Sequence, residues 1–175
     1  MRYDELPENW TSLPLDDGPL AAGVIDLVVG YRDRQRDSVL ILPCDEYDIG
    51  LPSPIVVSDT PWAQPSDERR DAMAILSEIP VPGFVVALAA SRRIPDKLVR
   101  GWLRTIEDEL DTCGKSLLAF GVADLDTVEI VGGRAARNGS LGAVAGYTEP
   151  TPTVPPGPAT GRRPGVGPSA GAWAR

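Results

Sequence analysis

The stretch from Phe84 to Ala90, FVVALAA, is apolar at every position. A strand of this kind has to be covered on both faces, so the chain that contains it must place a layer on each side of a sheet. The segment runs straight into a basic turn, Ser91-Arg92-Arg93, and then into Ile94-Pro95-Asp96, the start of a helix. In α/β proteins the carboxyl end of such a strand is where ligands and catalytic groups gather. Here that end carries no residue suited to holding a metal or transferring a proton near neutral pH. The stretch specifies a fold and leaves the chemistry open.

The elements around it follow from local patterns. Residues 1–19 read as an irregular arm, broken by Pro7, Pro14 and Pro19, with Trp10, Leu13 and Leu15 as an apolar set that lies across a core. Asp16-Asp17-Gly18-Pro19 supplies the acidic cap and the proline of a helix start. Leu20–Val29 reads as that helix, with Leu20, Val24, Leu27 and Val28 on its inner face. Arg32–Asp37 alternates in sign and reads as a solvated turn. Ser38–Cys44 and Pro54–Ser58 are apolar runs of strand length, paired as an antiparallel hairpin across the polar turn Asp45–Asp48. Pro43 lacks an amide donor and puts the end of the first strand at an edge or bulge.

Ser66 is the expected cap of a helix over Asp67–Ile79, with Ala72, Met73, Ile75, Leu76 and Ile79 inward and Arg69 and Arg70 outward. Pro80 and Pro82 stop it. The Pro95-led helix runs over Asp96–Thr112 with Leu98, Trp102, Ile106 and Leu110 four apart, and Gly114 closes it. Ser116–Ala123 and Thr127–Val131 are the last strands, joined through Asp124–Asp126.

Composition limits function more than it suggests one. The 175 residues carry a net charge of −8 and no histidine. Residues 1–133 hold 12 basic against 24 acidic groups, whereas residues 134–175 hold five arginines and one glutamate. An acidic body argues against nucleic-acid binding, which needs phosphate neutralisation. No run approaches the roughly 18 apolar residues of a membrane span, and the first residues lack a signal-peptide pattern, so a cytoplasmic location is expected. Cys44 and Cys113 then read as free thiols. Residues 148–175 contain seven prolines among glycine, alanine and threonine, a composition that cannot bury enough apolar surface to offset ordering. Residues 134–175 are therefore expected to form a disordered Pro/Gly-rich tail, with Trp173 as its anchor.

Several constellations bear on chemistry. Cys113-Gly114-Lys115-Ser116 ends like a phosphate-binding loop, but Glu109 stands where the first glycine belongs and the helix precedes rather than follows. Lys115 reads as turn filler. Asp45, Glu46 and Asp48 break the spacing of a calcium loop and read as a solvated turn. Without histidine, Cys44 has only Lys97 or Lys115 as a conceivable base, neither of them in a motif, and a Ser–His–Asp triad is excluded. No pair of carboxylates is singled out for glycosidase chemistry. Arg92, Arg93, Arg100 and Arg104 lie within 13 residues of one another on an acidic body. They suit an acidic partner or a phosphate, unless they pair with Glu107, Asp108 and Asp111 one turn along.

Over roughly residues 20–131 the order of elements is similar to the JAB/MPN-like domain of RadC-type proteins. The residues that carry the likeness are SVLILPCDE with PIVVSDT, DERRDAMAIL, and FVVALAASRRIPDKLVRGW. In that family the last of these holds a His-x-His-Pro metal motif followed by Pro-Ser-x-x-Asp. Here Ala90, Ser91, Arg92 and Arg93 stand where the histidines belong, Pro95-Asp96 resembles the Pro-Ser pair, and the metal-binding aspartate falls on Val99. The resemblance implies a metal-free, catalytically silent copy. Trp10, Leu13-Pro14-Leu15 and Asp26–Val29 also resemble the opening of uncharacterised actinobacterial proteins, which brings no function.

The expected fold is thus a three-layer α/β body with a mixed sheet of about five strands covered by three helices, preceded by the arm (1–19), spanning 20–133 and ending in the tail (134–175). The expected function is a non-enzymatic protein-interaction or regulatory module that uses no cofactor or metal. Arg92, Arg93, Arg100, Arg104 and Trp173 are its candidate partner-binding residues, and no catalytic residue is named. A structural part of a larger assembly, such as a phage or secretion particle, and a metal-independent enzyme are the alternatives.

Overall fold

A computed structural model describes residues 1–142, with side chains as far as Asn138. Two 3-10 turns, Tyr3–Glu5 and Trp10–Ser12, lead to helices α1 (Gly18–Val28) and α2 (Tyr31–Gln35). Strands β1 (Ser38–Cys44) and β2 (Ile55–Val57) follow, then α3 (Ser66–Met73), α4 (Ile75–Glu78), β3 (Gly83–Ala89), α5 (Asp96–Thr112), β4 (Ser116–Ala123), β5 (Val128–Gly132) and α6 (Gly133–Gly142). The five strands form one mixed sheet in the order β2-β1-β3-β4-β5, in which β3 and β4 are parallel and the other pairs antiparallel.

The alternation of β3 divides the core. All seven of its residues are buried. Phe84, Val86 and Leu88 face α3, α4 and α5 beside Met73, Leu76, Trp102, Ile106 and Leu110. Val85, Ala87 and Ala89 face α1 beside Leu20, Val24 and Ile25. The two faces differ in size: large side chains lie toward α5, small ones toward α1. Gly121 of β4 continues the small side, where an added Cβ would stand 2.7 Å from Ile25 Cδ1. The register shift between Phe84 and Val85 opposite Leu117–Ala119 puts Leu118 and Ala119 both on the α1 side, as a bulge does.

Many local expectations match. Asp17 caps α1 by accepting the Leu20 N–H at 2.8 Å. Leu15 is buried, and Trp10 and Leu13 pack against the α1-side core. At the end of α5, Gly114 takes φ +69°. Its N–H donates to Asp111 O at 3.2 Å and the Lys115 N–H to Leu110 O at 2.9 Å, the two bonds of a Schellman motif. Pro43 sits in a strand with neighbours on both sides, yet β2 pairs with residues 39–41 alone. The Pro43 carbonyl on that side accepts from Leu51 N–H at 2.8 Å, so the missing donor falls where the ladder to β2 has already ended.

Other expectations are corrected. On α1, Leu27 is 44% exposed, and Ala21 and Ile25 take the inner face instead. The helix expected over Asp67–Ile79 is broken at Ala74 into α3 and α4, which leaves Ala72 and Ile75 exposed. Ser66 is the first helical residue rather than the cap; Pro65 holds the cap position. Regular structure also continues past 133: α6 places Ala135 in the α1-side core, and Asn138 Nδ2 donates to Asp16 O at 3.1 Å. The proline-rich stretch and Trp173 lie outside the described residues. Among the described residues no helix is long and apolar enough to cross a membrane.

The solvated turn expected at Arg32–Asp37 is the largest departure. It forms α2, and Arg34 is 5% exposed. Its guanidinium donates to Asp26 Oδ1 at 2.7 Å, Asp124 O at 2.6 Å and Val29 O at 3.2 Å. One cation thereby ties α1, α2 and the β4–β5 turn together. Removing one partner of such a buried pair strands the others, so Arg34→Met is expected to cost about 3–5 kcal/mol. The urea midpoint should fall accordingly, and Arg34→Met with Asp26→Leu should recover part of the loss.

Candidate functional site

The carboxyl ends of β3 and β4 and the first turns of α5 enclose a groove of about 470 Å³. Its position follows from connectivity. Parallel β3 and β4 end on the same side of the sheet, and the chain between them must return through α5, whose amino end therefore opens toward those strand ends. Val99, Val122 and Val131 give it apolar walls, while Arg92, Arg93 and Arg100 line the α5 side. Of the four arginines singled out in the sequence, three meet here; Arg104 lies one turn further along α5, in a neighbouring recess.

Arg93 is paired with Asp96 at 3.1 Å, and both are largely exposed, a contact worth little in water. Among the described residues Arg92, Arg100 and Arg104 form no ion pair, so the pairing with Glu107, Asp108 and Asp111 allowed by the sequence is not made. Apart from Asp96 in the first turn, the charge order along α5 runs against its dipole: Lys97, Arg100 and Arg104 fill the amino-terminal half, and the last turn holds acids and no base. Cations near a helix amino terminus and like charges three or four residues apart each cost about 0.2–1 kcal/mol. Helix stability does not explain this arrangement.

Across the groove stand Asp124 and Glu129. Desolvation pushes the Asp124 carboxyl upward, but the Asp126 and Thr127 N–H groups, the Thr127 hydroxyl and the Arg34 charge outweigh it and hold the group below the usual carboxylate range. Asp124 is thus ionised and committed to its own turn. Among the described residues no three His, Cys, Asp or Glu side chains are grouped to hold a metal ion.

The remaining sequence candidates have structural partners. Asp45 accepts the Tyr47 and Ile49 N–H groups at 2.9 Å each, and Asp48 pairs with Arg134. Lys115 is not turn filler. Its Nζ donates to the carbonyls of Leu76, Ser77 and Ile79 at 2.6, 2.9 and 2.6 Å and lies 5.6 Å from the Phe84 ring centre. It caps the end of α4, a role invisible in sequence because its acceptors are nearly 40 residues upstream. Arg69, expected outward, lies half-buried against α5; nothing in its local pattern marks it. No family model, curated protein or solved structure matches this chain.

Cys44 and Cys113 are free thiols. Burial pushes Cys44 up to about 12, against a lowering hydrogen bond from the Val85 backbone. At pH 8 its thiolate fraction is therefore roughly a thousandfold below that of an ordinary cysteine. A thiol reagent is expected to modify half-buried Cys113 in the native protein and Cys44 only after unfolding, as peptide mapping would show. Lys115→Met should lower stability by about 1–3 kcal/mol, read from thermal unfolding.

Proposed function

We propose that this chain is a non-enzymatic protein-interaction module, and that Arg92, Arg93 and Arg100 dock an acidic segment of a partner protein. The observation that carries this reading is the gathering of Arg92, Arg93 and Arg100 on one groove at the amino end of α5, where among the described residues Arg92 and Arg100 form no ion pair and Arg93 forms only an exposed one with Asp96, on a body whose first 133 residues carry twice as many acids as bases. An incoming carboxylate would gain from both the guanidinium groups and the helix amino terminus. The apolar walls of the groove and its open shape suit a peptide segment in contact with both.

The RadC-type likeness supports the same place. A silent copy of that domain would keep the recess at the strand ends and line it with arginine where the family holds metal ligands. The available chemistry agrees: Asp124 is committed to its turn, Cys44 is closed off by burial, and the chain has no histidine. Electrostatic docking of this kind is fast and salt-sensitive.

The test is a pull-down with the full chain beside an Arg92→Glu/Arg93→Glu variant shown by circular dichroism to be folded. A specific protein held by the wild type should be lost by the variant, with affinity at least about tenfold weaker, and should be released by 1 M salt, where the screening length is ~3 Å. A partner held equally well by both forms, or retained unchanged at high salt, would refute the reading.

A further inference from the structure

Beside the groove, a second recess of about 250 Å³ lies between α3 and α5. Arg69, Lys97, Arg100 and Arg104 line it with Leu98 and Gly101, and among the described residues no carboxylate borders it. We propose that this recess is a binding site for a phosphate monoester dianion. The proposal does not depend on the docking of an acidic segment in the first groove, with which it shares Arg100.

The recess is assembled by tertiary packing. Lys97, Arg100, Gly101 and Arg104 follow one another at helical spacing along one face of α5. Arg69 enters from α3. Its Nη1 donates to Gln64 O at 2.7 Å and its Nε to Thr105 Oγ1 at 3.5 Å, while the Thr105 hydroxyl donates to Gly101 O at 3.0 Å. The guanidinium lies across the helix at the one position without a side chain: a Cβ on Gly101 would stand 3.5 Å from Arg69 Nη2. Two edges of Arg69 are thus held by protein acceptors, and the Nη2 edge remains for a ligand.

Three further cations, Lys97, Arg100 and Arg104, line the same recess, and among the described residues none of the four forms an ion pair. Four positive groups around a small volume exceed what one carboxylate neutralises. They match a tetrahedral group carrying close to two charges, whose oxygens accept guanidinium forks pairwise. The recess is too small for a polymer, and the acidic body around it repels a long polyanion, so a single phosphate group is the ligand chemistry that fits.

The experiment is isothermal titration of the full chain at low salt with inorganic phosphate, with O-phosphoserine, and with a serine-containing acidic peptide in phosphorylated and unmodified forms. Saturable binding of the phosphate-bearing probes is expected, weakening as pH falls through about 6, where the dianion gains a proton. An Arg69→Gln/Arg104→Gln variant should lose at least tenfold, while Arg92→Glu/Arg93→Glu should lose less, through the long-range effect of its charge alone. A phosphopeptide held more tightly than O-phosphoserine assigns the site to a phosphorylated protein. Equal affinities assign it to a small phosphate compound. Absence of saturable phosphate binding overturns the proposal, and so does binding that survives the loss of Arg69 and Arg104. Binding lost in Arg92→Glu/Arg93→Glu but kept in Arg69→Gln/Arg104→Gln would place the anion in the first groove and overturn this assignment alone.

Discussion

The burial of β3 on both faces is the constraint on which the rest of the structure depends. An apolar strand with no wet side needs hydrogen-bonded neighbours along both edges and a layer above and below. The neighbours are β1 and β4, and the layers are α1 with α6 on one side and α3 to α5 on the other. The difference in side-chain size between its two faces sets how near each layer comes. Ala87, Ala89 and Gly121 admit α1 closely, whereas Phe84, Val86 and Leu88 meet the larger Trp102 and Ile106 of α5. Trp102 in turn holds the preceding loop: its indole N–H donates to Trp62 O at 3.1 Å, and the two rings meet edge to face.

Arginine is used in two opposite ways around this core. Arg34 is surrounded by acceptors and closes a joint between α1, α2 and the β4–β5 turn. Among the described residues Arg92, Arg100 and Arg104, on or near the amino half of α5, have no carboxylate partner. Burial of a cation is tolerable where its hydrogen-bonding capacity is filled, and clustering of exposed cations is disfavoured where nothing neutralises them. The first arrangement is explained by the fold. The second is not explained by the fold, and it is the observation from which the proposed binding sites are argued.

Much of the architecture was legible in order. The short apolar run SVLILPC, the uninterrupted FVVALAA and the four-residue spacing of Leu98, Trp102, Ile106 and Leu110 are local signals whose meaning does not depend on distant residues. β1, α5 and β4 accordingly begin and end where the pattern places them. The Arg92, Arg93 and Arg100 edge was legible for the same reason, since a basic turn between a strand and its following helix must lie at the strand's carboxyl end. The inward turn of Arg34, the clamp made by Lys115 and the role of Arg69 were not legible. Each depends on an acceptor or cavity brought up from far along the chain, and a charged residue with no local partner reads as solvated.

The sequence by itself determined that β3 is covered on both faces, that α5 carries a basic head and an acidic end, and that histidine chemistry is absent, because these are statements about residue types and short-range periodicity. Only the tertiary structure decided which charges are buried, which are paired and which are left over. Coulombic and hydrogen-bonding partners are chosen by distance in space, and the packing of α3 on α5 and of α2 under the β4–β5 turn sets those distances.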